Sequence, residues 1–189
     1  PLYAGFSGGL SILQIAPLDL KQVEVIKGAA STLYGGGAIA GIVNLVSKTP
    51  QEERELNFLA NATSAGGLDL SGFYSERYGN AGLTVFASRN SNRPFDPANI
   101  GLTAIPKFER YTINPRLFIY GKKTNIDMGI GLVTENRIGG SINYINNGGT
   151  GFFEKNKTER ITTQIGITHQ LNENSHLQFK NSFSNFNRI

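Results

Sequence analysis

From residue 56 to residue 184 apolar and polar residues alternate with a period of two, and no stretch between them carries the 3.6-residue period of a helix. A side-chain period of two belongs to a pleated strand, whose successive residues point to opposite faces. Leu56, Phe58, Ala60 and Ala62 share one face and Asn57, Asn61 and Thr63 the other. Leu68, Leu70 and Tyr74 oppose Asp69, Ser71 and Ser75; Leu83, Val85 and Ala87 oppose Thr84 and Ser88. Tyr111, Ile113, Leu117 and Ile119 oppose Thr112, Asn114 and Arg116, and Ile126, Met128, Ile130 and Leu132 oppose Asp127, Gly129, Gly131 and Glu135. Ile161, Ile165, Ile167 and Leu171 then oppose Thr162, Gln164 and Thr168, and Leu177, Phe179 and Phe183 oppose Gln178, Lys180, Ser182 and Ser184. The pattern predicts about seven consecutive antiparallel strands, each half polar. A soluble β-sandwich and a membrane β-barrel both write this pattern.

The spacing between strands separates the two. Links are short at 64–67, 79–80, 121–123 and 172–174, and long at 90–109 and 137–156. Counted in order, every even link is a tight turn and both long links are odd. In an up-and-down barrel the odd links share one rim and the even links the other, and outer-membrane barrels have short turns on one side and long loops on the other. No apolar run approaches the ~20 residues of a membrane-spanning helix, which leaves strands as the only spanning element this sequence offers.

Residues 1 to 48 are written differently: rich in Gly, Ala and Ser, with short apolar runs at Val23–Ile26 and Gly41–Val46 and a helical turn expected near Ser31 to Tyr34. Pro50, followed by Gln51-Glu52-Glu53-Arg54-Glu55, marks the change of grammar. The expected organisation is therefore residues 1–48, a linker at 49–55, and strands over 56–189. About seven strands are too few to close around a lumen that also holds another domain, since plugged barrels need about 22. Further strands are expected after Ile189, and the opening Pro1-Leu2-Tyr3, without a basic and apolar leader, is expected to be either a cleaved end or a start within a longer protein.

Several functions lack their chemistry. The net charge of +4 is scattered, with no basic run interleaved with aromatics, so nucleic acid is not an expected partner. There is no cysteine, hence no disulfide, thiolate metal site or thiol nucleophile. His169 and His176 bracket a predicted turn without supporting carboxylates, so no metal site is expected, and no G-x-S-x-G, H-E-x-x-H or G-K-[ST] motif occurs. Gly35-x-Gly37-x-x-Ala40 resembles a dinucleotide fingerprint, but the β-branched Ile42-Val43 run after it predicts a strand where the fingerprint needs a helix. The reading is of no enzyme and no cofactor.

The segment VEVIKGAASTLYGGGAIAGIVNLVSK, Val23 to Lys48, resembles the end of the plug domain of TonB-dependent outer-membrane receptors, whose plug closes with a pattern like VEVIRGPASxLYGSGAIGGVINIITK. The resemblance implies a mainly β fold: the C-terminal part of a small α+β plug domain, then an incomplete transmembrane antiparallel β-barrel, in the bacterial outer membrane. It implies active import of a scarce or bulky ligand, of the siderophore, haem, cobalamin or glycan class, by rearrangement of the plug. The implied partners are the TonB energy-transducing complex, reached through a segment outside this sequence, and outer-membrane lipid. Glu24 and Lys27 stand where the family has a charged contact between plug and barrel; Lys27 replaces the usual arginine and Ala29 the usual proline, and an ordinary solvated pair is the alternative. Tyr3, Phe6, Ser7 and Ser11 fall where such receptors have an apical plug loop that touches ligand, although Phe6 also suits the plug core. Asn92, Arg93 and Asp96 in one long link, and Tyr144, Phe152 and Phe153 in the other, offer hydrogen-bonding and stacking groups to a ligand or simply form solvated loop. Gly28, Gly35, Gly37 and Gly41 read as structural glycines, supplying positive φ and close packing. The rival is a soluble β-sandwich binding module without transport activity.

Overall fold

The alternation folds as written. In the computed structural model, which describes residues 17–28 and 41–189, the strands after residue 54 form one antiparallel meander in which each strand pairs with the next in sequence. A two-stranded sheet precedes it, made of β1 (Leu20–Lys27) and β2 (Gly41–Ser47). The meander comprises β3 (Glu55–Ala62), β4 (Gly67–Tyr78), β5 (Ala81–Asn92), β6 (Lys107–Tyr120), β7 (Thr124–Gly140), β8 (Phe153–Asn172) and β9 (Ser175–Arg188). The chain is thus mainly β, and the seven-stranded sheet does not close on itself. Its register holds without a shift from β3 to β8, which keeps residues of one face aligned across the sheet. Pairing of β6 with β7 skips Asn114 and Pro115, where proline has no N–H to give to the ladder.

The strands run further than their alternation indicates. The long links contract from the expected 90–109 and 137–156 to 93–106 and 141–152, because β5 continues through Asn92, β6 starts at Lys107, β7 reaches Gly140 and β8 starts at Phe153. Asn92 and Phe153 are strand residues, not loop residues. A short helix, α1 (Ile142–Asn147), also sits in the second link, capped by the Ser141 side chain and ended by Gly148 at φ 69°. The expected helical turn at Ser31 to Tyr34 lies outside the described residues.

Burial on the sheet is inverted relative to a water-soluble protein. On one face Thr84, Ser75, Arg110 and Glu135 are buried beside Phe73, Phe86, Phe118 and Val133, while on the other Phe58, Ile130, Ile161, Phe179 and Phe183 are exposed. Register aligns the exposed apolar side chains in rows, such as Phe58, Gly72, Ala87, Ile113, Leu132 and Ile161. From Tyr111 to Ile119 this face covers about 26 Å of strand at roughly 3.3 Å per residue. Tilted strands shorten that toward the apolar band of about 25 Å that a membrane barrel presents to lipid. Tyr78 near one end of the band and Tyr111 near the other are both exposed, where an aromatic girdle would lie.

Candidate functional site

The polar face is the side against which the first sheet's flanking residues pack. Asp19, just before β1, is buried and accepts a hydrogen bond from Asn114 Nδ2 of β6 at 3.1 Å. Lys48, just after β2, donates its backbone N–H to the Asp19 carbonyl at 2.7 Å and accepts from Arg116 Nη1 at 3.4 Å. The Lys48 ammonium pairs with Glu55 and lies 4.9 Å from the centre of the Phe73 ring. The Arg77 amide donates to the Gln51 carbonyl at 2.8 Å, and Pro50 packs over Gly82 so closely that a Cβ there would fall 2.5 Å from its Cγ. Proline and glycine together let the connecting segment lie flat on the sheet. Burial pushes the Asp19 carboxyl up to about 6, opposed by the nearby Arg116 charge, the Asn114 hydrogen bond and the Lys48 charge; Asp19 Oδ1 accepts no hydrogen bond among the described residues.

Glu24 and Lys27, expected at a contact between the two parts, both lie on β1. Glu24 accepts from Asn44 Nδ2 of β2 at 2.7 Å and from Gln22, and Lys27 is exposed opposite Gly41. Gly28 and Gly41 take φ of 94° and 129°, and a Cβ on Gly41 would meet the Ile26 carbonyl oxygen at 2.5 Å. Gly35, Gly37, Tyr3, Phe6, Ser7 and Ser11 lie outside the described residues.

Higher on the polar face, toward the long links, a second group of charges gathers. Arg110 and Glu135 are direct cross-strand partners and form a buried ion pair, and Arg137 reaches the same carboxylate at 2.9 Å. Arg110 and Arg137 flank the Phe108 ring at 5.5 and 5.6 Å, and the buried Arg160 stands 5.2 Å from the Phe186 ring. Two arginines share one carboxylate here, and a third arginine lies on the next strand.

The long links above this region are tied to each other. The Thr103 amide donates to the Gly140 carbonyl at 2.9 Å, the Ile142 amide to the Gly101 carbonyl at 3.0 Å, and Leu102 bridges Ser141. Asp96 is spent inside its own link, accepting from the Ile100 and Gly101 amides at 3.3 and 2.7 Å. Tyr144 stacks on Phe153 with ring centres 4.0 Å apart and planes 4° from parallel, and Phe152 is exposed at 73%. Asn92 is buried at the top of β5 and Arg93 begins the first link. The structure therefore gathers Tyr144, Phe152 and Phe153 at one rim and turns Asp96 inward. His169 Nδ1 lies 2.8 Å from Thr124 Oγ1, and no group of three or more potential ligands for a metal occurs among the described residues.

Comparison with known proteins finds likeness to one family. Residues 1–42 match the model of the TonB-dependent receptor plug domain. Over that segment and the strands that follow, the chain is similar to TonB-dependent receptors. It is 33% identical over 114 residues to the ferrioxamine receptor of Yersinia enterocolitica, covering 58% of this chain and 15% of that receptor. To the ferric aerobactin receptor of Klebsiella pneumoniae it is 40% identical over 67 residues, covering 35% and 9%. To the vitamin B12 transporter BtuB of Vibrio vulnificus it is 32% identical over 89 residues, covering 39% and 15%. The matched stretches span 15% or less of these relatives' own lengths.

Asp19, Lys48, Arg110 and Arg160 are absent from the residues that sequence reading singles out. Arg110 carried a usable signal, since it falls on the polar face by alternation. Asp19 carried none, because its role depends on a partner 95 positions away.

Proposed function

We propose that this chain is part of an active-transport receptor of the Gram-negative outer membrane that binds a scarce or bulky ligand outside and passes it inward when its plug rearranges. Residues 1–48 contribute the end of the plug, 49–55 a linker, and 56–189 the first strands of the barrel. The observation that carries the proposal is the inverted sheet behind a plug-type sequence: exposed apolar rows suit lipid, and a buried polar face suits a plugged lumen. The ligand is of the class carried by chelating or corrinoid molecules, as the names of the relatives indicate, or a haem or glycan. The TonB complex is the proposed energy source, acting through a segment outside this sequence. Tyr3, Phe6, Ser7 and Ser11 on the plug, with Arg93, Tyr144, Phe152 and Phe153 at the rim, are the proposed ligand contacts. Asn92 lies beneath them, and Asp96 holds its link in shape. The Asp19 and Lys48 region is a proposed plug-to-wall contact beside Glu24 and Lys27.

The test is a cysteine scan of the full-length receptor, clean over this stretch because it has no cysteine. A membrane-impermeant thiol reagent applied to intact cells should label Asn99→Cys and Asn146→Cys in the links and spare Ile130→Cys and Ile161→Cys. Recovery of the full-length protein in the high-salt soluble fraction, with all four positions labelled, would establish the soluble sandwich instead.

A further inference from the structure

On the apolar face, near the long links, two depressions open side by side and share Arg89. The lower one is an open groove of about 810 Å³, within the roughly 300–1,000 Å³ of ordinary ligand sites. Register explains it. Gly72 and Ala87 are adjacent in one row and leave a low floor, and Phe58, Leu70, Ile113 and Leu132 stand around it. The Phe58 ring leans over Gly72, where a Cβ would meet it at 3.5 Å.

The upper depression is basic. Its lining includes Arg89, Arg93, Lys107 and Lys155, with Glu109 the sole acid. Glu109 is already engaged: it accepts from Arg89 Nη2 at 2.7 Å and from the Tyr111 hydroxyl at 2.7 Å. Lys107 and Lys155 flank Ile138 in one row, about 10 Å apart across two strand spacings, and neither forms an ion pair among the described residues. A solvated cation needs no partner, but cations directly above an apolar groove on one face match a molecule that is anionic at one end and hydrocarbon at the other.

We propose that these depressions form a seat for a membrane lipid whose head carries net negative phosphate charge, with an acyl chain over Gly72 and Ala87 and phosphate at Lys107 and Lys155. Arg89, fixed by Glu109 and Tyr111, marks the boundary between the two. Lysine suits the role, since it offers a point charge to a phosphate of variable orientation. The seat rests on the membrane-barrel reading, because only there does this face meet lipid. It adds a site for a resident molecule that is not transported.

The experiment uses the full-length receptor in detergent micelles, probed with diphosphoryl lipid A, its dephosphorylated form and phosphatidylethanolamine, and read by native mass spectrometry. Diphosphoryl lipid A should be retained about tenfold better than either control. The double variant Lys107→Ala with Lys155→Ala should lose that preference, and the Lys107→Arg with Lys155→Arg pair should keep it. Gly72→Leu should weaken both the phosphorylated and dephosphorylated forms by filling the groove. Heat-modifiable gel mobility checks that each variant is folded, and if Gly72→Leu is not, the lysine pair alone decides. Equal retention of all three lipids, undiminished retention by the alanine pair, or a second receptor copy seated in the groove would overturn the proposal. Ligand import by the alanine pair should match wild type. A receptor that imports normally yet shows no lipid preference overturns the seat alone, whereas one absent from the membrane overturns the transport reading as well.

Discussion

Asp19 shows how one side chain ties pH to the fold. Its carboxyl sits near 6 against an ordinary value of 3.8, raised chiefly by burial. The folded state therefore holds the proton more tightly than the unfolded one. The stabilisation from protonation is complete below about 3.8 and is lost as pH rises through about 6. Protection factors at residues 17–20 and 47–50 of the full-length receptor, taken relative to the intrinsic exchange rate at each pH, should be higher at pH 5 than at pH 8, and Asp19→Asn should flatten the difference. An unchanged pH response in the variant would remove Asp19 from the contact. Glu135 makes the opposite kind of prediction. Replacing it with alanine leaves Arg110 and Arg137 without the carboxylate they share, and losing one partner of a buried pair costs about 3–5 kcal/mol. Urea unfolding of the full-length protein in lipid vesicles should show a clearly lowered midpoint. Alternation alone put Glu135 on the polar face, but its partner became legible only through register, which the 121–123 turn sets.

At the level of elements, the β1–β2 pair depends on a backbone fit that composition cannot express. Gly41 combines a φ of 129° with an approach to the Ile26 carbonyl that leaves no room for Cβ. Gly41→Ala should cost about 1–3 kcal/mol, the usual range for a strained backbone, and loosen β1 from β2. Faster proteolysis of residues 20–47 in the variant, with the barrel's gel mobility unchanged, would be the expected result; equal rates would refute the strain. The strands of the meander were legible because each has one consistent apolar face. Their ends were not, because near the long links both faces turn polar, as at Ser91–Asn92 and Asn136–Arg137, and alternation fades while hydrogen bonding continues. The helix α1 was missed for a related reason: at six residues it is too short to show a period, although Ser141 and Gly148 mark its ends.

Across the whole molecule the faces have traded the usual places of oil and water, and substitutions should follow the face and not the residue type. Ile130→Lys, in the middle of the exposed rows, should cost about 2–4 kcal/mol when the full-length protein is refolded into vesicles. Thr162→Lys, on the polar face of the neighbouring strand, should cost much less. Equal costs would mean that the apolar face does not meet lipid. The two long links carry one more consequence. Because main-chain bonds run from Thr103 to Gly140 and from Ile142 to Gly101, each link is partly the scaffold of the other. An engineer exchanging these links for those of a related chain would have to transplant 93–106 and 141–152 as one cassette, and natural recombination within this rim would meet the same constraint.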